Sequence, residues 1–314
     1  MTRFALVVVV ALAAACAGSA APREGIRTCG VPLSGLRVPP YTAGSDWNRA
    51  LPRNVRIHPR SRTFVRGLVA GARDERIVLS VRRYTVPVYV APPNTRRYDV
   101  RSTASWADGR ILEAVPIPPH ARPDPESDGH LAVVDLREAC EYDFWRARRV
   151  GNRWTAAWGT VLPLRGDGVN RDAGARATGF GLLAGLIFPN ELRRGRIAHA
   201  LAFAYPFTRA GGPVPPALRS DGRSRRPDAL PEGARLQLDP ALDLDALDLE
   251  PHERTIAEAL QRYGMILADT GGTLGIYAVH PQSYAKNPYV GLLPPGPYVP
   301  LGGIPLERFR VIAF

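Results

Sequence analysis

Lysine, methionine and cysteine are nearly missing from this chain. Its 314 residues include two methionines, three cysteines and a single lysine, Lys286, so forty of its 41 basic residues are arginines. No Cys-x-x-Cys or His-x-x-x-His spacing occurs, which argues against a structural zinc site, and no metal ligand set is assigned. The glycine-rich stretch 166–181 lacks the Lys-Ser/Thr of a phosphate loop, and there is no Gly-x-Ser-x-Gly elbow. No nucleotide or other cofactor is therefore expected. Charged residues at 22% and hydrophobic residues at 45% exclude a disordered or polytopic membrane chain. The net charge of +12 suits an anionic partner, but it is equally what arginine-favouring codons produce. The arginines are spread over every segment rather than interleaved with aromatics on one, so nucleic acid is not an expected partner.

The apolar run 4–15 (FALVVVVALAAA) is too short to span a bilayer core of about 30 Å and reads as a signal peptide over residues 1–16. Two endings fit it. Leu12-Ala-Ala-Ala-Cys16 resembles a lipoprotein signal, with Cys16 lipidated and the only membrane contact made through that anchor; cleavage after Ala15 or Ala17 gives a freely secreted chain. Export leaves Cys29 and Cys140, and two thiols in an oxidising compartment predict a disulfide that closes a loop of 111 residues.

Residues 17–45 form a Gly/Pro-flanked leader, and 46–314 are expected to make one domain. The segment 46–70 shows no long helical period. Short alternating segments, most of them bounded by Pro or Gly, predict strands at 77–81, 84–90, 131–136, 142–145, 154–162, 197–203, 235–238 and 274–279. The pattern predicts a mainly antiparallel all-β fold, a jelly-roll or concanavalin-like sandwich with one or two short helices. The clearest helix is 251–263, with Pro at its start and Gly264 past its end; a shorter one is expected at 190–194. The segment 211–233, rich in Pro, Gly and Arg, is expected to be a mobile surface loop.

Candidate chemistry lies in several places. On a strand, Glu141, Asp143 and Trp145 share one face and Tyr142 and Phe144 the other, giving an acidic-aromatic surface of the kind that binds sugars; Trp158 lies nearby. Glu191 and His199 form a candidate acid/base couple. Asp269 ends a strand ahead of Gly271 and Gly272, whose missing side chains allow close approach, and the turn Ser127-Asp128-Gly129-His130 adds Asp128 and His130. Arg176 and Tyr263 complete the candidate substrate-binding set. For each acid, the alternative is a solvated or satisfied structural group.

Glu141-Tyr-Asp-Phe-Trp145, Gly181-Leu-Leu-Ala-Gly-Leu-Ile187 with Glu191-Leu192, Ile197-Ala-His-Ala-Leu201, and Ala259-Leu-Gln-Arg-Tyr-Gly-Met265 with Asp269-Thr-Gly271 resemble, in that order, the signature of a family of exported bacterial β-rich proteins. The resemblance implies secretion and a single β-rich domain, not an established activity. The functional expectation is a secreted or lipid-anchored protein that engages polysaccharide or cell-envelope glycan. As a glycoside hydrolase or lyase it would use Glu191 and Asp269 as its acid pair, with Glu141 and His199 as further catalytic candidates. A non-catalytic envelope protein binding glycan or a protein partner is the alternative.

Overall fold

The computed structural model describes residues 29–314 and, ahead of them, the backbone of a two-residue strand β1 (Arg23–Glu24). The signal segment 1–16 and Cys16 lie outside the described residues, as does most of 17–28. Among the described residues there are three α-helices, α1 (Ser61–Gly71), α2 (Pro189–Arg193) and α3 (Pro251–Arg262). The remaining strands are β2 (Ile77–Ser80), β3 (Val88–Ala91), β4 (Arg97–Ser102), β5 (Ile111–Pro116), β6 (Leu131–Asp135), β7 (Cys140–Trp145), β8 (Arg148–Val150), β9 (Arg153–Ala156), β10 (Trp158–Pro163), β11 (Leu201–Tyr205), β12 (Arg235–Leu238), β13 (Met265–Thr270), β14 (Gly275–Tyr277), β15 (Tyr298–Leu301) and β16 (Phe309–Val311).

Among the described residues they form three sheets, ordered β1-β5-β4-β9-β8, β10-β7-β6-β3 and β15-β2-β14-β11-β13-β12-β16, none of which closes into a barrel. Antiparallel pairings are the majority, as expected, but the sheets are mixed rather than purely antiparallel. β3·β6, β4·β9, β11·β13 and β14·β2 pair in parallel, each joined through long crossovers that alternation along one strand does not reveal.

Alternation explains how the layers stack. Tyr142 and Phe144 of β7, with Leu131 and Val133 of β6, meet Val100, Leu112 and Trp154 across the gap between the four- and five-stranded sheets. The opposite residues of β6, Ala132 and Val134, pack against Leu182, Leu183, Leu186 and Phe188. Phe180 and Ala184 of the same segment pack on Trp47, Ala202 and Ile266, on one face of the seven-stranded sheet. Residues 180–188 are thus a middle layer with a sheet on each side. The far face of the seven-stranded sheet, with Leu79, Leu201, Phe203 and Leu267, is covered by Phe64, Val65 and Leu68 of α1 and Ile256 and Leu260 of α3.

α1 lies where no long helical period is read. Its two glycines lower helix propensity, and both are needed for packing. A Cβ on Gly67 would meet Asp228 O at 2.5 Å, and one on Gly71 would meet the Tyr205 ring at 2.5 Å. β4 and β5 were not foreseen either. The predicted disulfide is present: Cys29 and Cys140 are bonded, with Cα atoms 5.2 Å apart, and it ties the leader to the first residue of β7. Among the described residues, no helix is long and apolar enough to cross a membrane.

Candidate functional site

The seven-stranded sheet delivers one acid to its open face through a fault in its ladder. β11 and β13 pair Leu201 with Met265, Ala202 with Ile266 and Phe203 with Leu267, and then Ala204 with Asp269, so Ala268 is an extra residue. Met265 and Leu267 face the helices, whereas Ile266 and Ala268 face the middle layer. Unbroken alternation would send Asp269 toward the helices. The bulge turns it to the same face as Ala204. Gly271, just beyond, is required by contact: a Cβ there would lie 2.7 Å from that of Ala204.

That face is the floor of a cavity of about 670 Å³. Val78 and Ser80 of β2, Tyr277 of β14 and Ala204 of β11 line it with Asp269; Asp128 and His130 enter from the turn before β6, and Arg176 from the loop leading to the middle layer. Tyr84 and Tyr298 stand at its sides, and Arg73, Asp74 and Arg76 at its exposed rim. Arg176 is 2% exposed; its Nη1 donates to Gly181 O and Ala184 O, both at 3.2 Å, and its guanidinium lies 5.3 Å from the Tyr277 ring centre.

Burial pushes the Asp269 carboxyl up to about 8; the charge of Arg176 opposes this, and those of Asp221, Glu232 and Asp128 add to it. Burial also raises Asp128, against a hydrogen bond from Trp145. His130 is driven down to about 3 by burial and then by the positive charge of Arg176, so its ring is neutral at physiological pH.

Asp128, His130, Arg176 and Asp269 are therefore brought together. The other candidates are not among the residues that line the cavity. Glu141 and Asp143 are fully buried: Glu141 accepts from Tyr41 Oη at 2.6 Å and from the amide of Leu183 at 2.8 Å, while Asp143 accepts from the amide of Leu182 at 2.8 Å. Both carboxyls are raised by burial, Asp143 further by the charge of Glu141. Glu191 caps α2 by accepting from the amide of Phe188 at 3.0 Å, and both its oxygens lie 3.2 Å from His199 Nε2. His199 Nδ1 is 2.8 Å from Ala200 O, and both side chains are sealed at about 1% exposure. Glu191 and Asp269 do not share the cavity. Trp145 lies on the outer part of β7 with the Arg146 guanidinium over its ring, Trp158 stacks on Trp106 with centres 4.9 Å apart, and Tyr263 packs with Trp47 and Ile266.

Two acids near the cavity escaped the sequence reading. The segment 211–233 is tied down rather than loose: Val214 donates to Glu232 O, Arg209 to Leu230 O and Ala210 to Ser224 O. It brings Asp221 and Glu232 to Asp269, with one oxygen of each carboxylate within 4.8 Å of the others. The available signal was an acid followed by glycine at 221–222 and again at 232–233. Gly233 sits at φ +88°, and a Cβ there would strike Val214 O at 1.8 Å. Comparison with models of known families, with curated proteins and with solved structures gives no match to this chain.

Proposed function

We propose that the protein is an exported envelope protein that holds an acidic carbohydrate in the cavity above Asp269. The observation that carries this reading is the convergence of Asp128, His130, Arg176 and Asp269 with Tyr84, Tyr277 and Tyr298 in the wall of one cavity. Carboxyls and a neutral imidazole suit sugar hydroxyls, tyrosine rings suit the apolar face of a pyranose, and a buried guanidinium with two further arginines at the rim suits a uronate carboxylate. The two sheets that enclose Tyr142 and Trp154 are read as the layers of a jelly-roll-type sandwich, and the disulfide supports passage through an oxidising compartment.

Glycoside hydrolysis or lyase elimination is the reaction class proposed for this cavity, with Asp128 and Asp269 as the acid groups in place of the sealed Glu191. Binding without catalysis is the second reading. It is favoured by Trp106, which is 59% exposed and packs at a tilt against the buried Trp158 outside the cavity. The experiment is a titration of uronate-containing and neutral oligosaccharides into wild type, Asp128→Asn and Arg176→Gln, followed by product analysis. Tighter binding of the uronate series that is lost in Arg176→Gln supports the cavity, and cleavage lost in Asp128→Asn supports catalysis. Binding that depends on Trp106 alone supports the second reading, and no oligosaccharide binding by folded wild type overturns both.

A further inference from the structure

Asp221, Glu232 and Asp269 crowd three carboxylates into a space where oxygens lie within 4.8 Å of one another. The chain around them holds forty arginines, and several acids elsewhere are paired with one, as Glu126 is with Arg83 and Asp228 with Arg226. Among the described residues, no arginine or lysine forms a salt bridge with any of these three. Neutral groups hold them together instead. Thr270 Oγ1 donates to Asp221 Oδ1 at 2.8 Å, and the amide of Asp221 donates to Glu232 Oε2 at 3.1 Å.

A second observation concerns the acid at the back of the group. Glu232 is 0% exposed, and its other oxygen, Oε1, is buried without a hydrogen-bond partner. A buried carboxylate oxygen without a hydrogen-bond partner has an unmet requirement that a bound cation would satisfy. Asp221 is exposed, so the group opens to solvent on one side.

We infer that Asp221, Glu232 and Asp269 form a divalent-cation site at the edge of the cavity, and that its ion is calcium. The donors are all oxygen, with no histidine or cysteine among them, which selects a hard cation over zinc or copper. Calcium takes six to eight oxygens at about 2.3–2.6 Å in flexible geometry, so three carboxylate oxygens gathered within 4.8 Å of one another can share one ion after small side-chain adjustments, and solvent at Asp221 completes the sphere. Magnesium demands near-ideal octahedral geometry and gives up its waters reluctantly, which three acids from separate positions in the chain suit less well. The ion would fix Asp269 at the cavity wall. The inference does not depend on the carbohydrate reading, because the site is assayed without sugar.

The test is calorimetric titration of calcium chloride into the chelator-treated full chain, with thermal melting in parallel. The expected result is one ion per chain, a dissociation constant between about 10⁻⁵ and 10⁻³ M, a rise in Tm with calcium, and weaker binding of magnesium. Asp221→Ala, at an exposed position, should fold and bind calcium at least tenfold more weakly; Glu232→Gln should also lose affinity. The inference is overturned if folded wild type shows no saturable calcium binding, or if Asp221→Ala binds as wild type does.

Discussion

The carboxylate of Glu141 accepts the backbone N–H of Leu183 at 2.8 Å, so an acid of the Glu-Tyr-Asp-Phe-Trp strand holds the first turn of the Gly-Leu-Leu segment. Asp143 does the same for Leu182. Two motifs 40 residues apart are one structural device, and Gly181 is glycine because a Cβ there would meet Tyr41 Oη at 2.3 Å.

Glu141→Ala should destabilise the protein by about 2–4 kcal/mol, because it orphans the Leu183 amide and the Tyr41 hydroxyl in a buried setting. Asp143→Asn should differ from wild type by no more than about 1 kcal/mol near neutral pH, since burial and the neighbouring carboxylate already favour the neutral acid. A carboxyl raised in the folded state contributes most at low pH, and that contribution is lost as pH rises through the folded value. Wild type should therefore lose stability toward alkaline pH faster than Asp143→Asn, as read by urea unfolding across pH.

Glu191→Gln should cost about 3–5 kcal/mol by leaving His199 buried without its counter-charge. Burial lowers the His199 pKa, but the charge and hydrogen bond of Glu191, with the Ala200 carbonyl, outweigh it and hold the pKa above the usual value. For a raised histidine the stabilisation is complete below the unfolded pKa and fades as pH rises through the folded one. The gap between wild type and Glu191→Gln should narrow on the alkaline side; an equal gap at all pH values would assign the loss to the α2 cap alone.

His130 works in the opposite sense. Its folded pKa of about 3 lies below the usual 6.5, so the unfolded chain takes up a proton first as pH falls, and stability declines between 6.5 and about 3. The slope from this one group reaches up to about 1.4 kcal/mol per pH unit. His130→Asn should flatten that part of the acid-unfolding profile, and an unchanged profile would show that the ring is solvated.

The Cys29–Cys140 bond closes a 111-residue separation, for which chain entropy gives up to about 4–5 kcal/mol. Cys29→Ser with Cys140→Ser should lower the urea midpoint and steepen the slope, because the unlinked unfolded chain is more expanded and exposes more surface. Titration of the oxidised, denatured chain should find neither of these thiols free.

Local pattern made the faces of β7 and the ends of α3 legible, and the 29–140 pairing followed from export and the two cysteines it leaves. What was hidden depended on contacts between distant segments. α1 was obscured by Gly67 and Gly71, which serve Asp228 and Tyr205 rather than the helix. The exit of Asp269 to the cavity depends on one unpaired residue, Ala268, whose presence shows only against β11. Glu191 and Glu141 looked catalytic because acids near His or aromatics usually face water; here backbone amides and His199 bury them. Asp221 and Glu232 lie in a segment whose composition resembles a loose loop and whose hydrogen bonds do not.

The middle layer 180–188 has a consequence for how the molecule comes apart. Its leucines serve the four-stranded sheet, and its Phe180 and Ala184 serve the seven-stranded one, so neither half can release it without exposing apolar surface on both. The two sheet systems should therefore melt in one transition, and the slowest-exchanging amides should include those of Leu182 and Leu183, locked by carboxylates at the centre of the molecule.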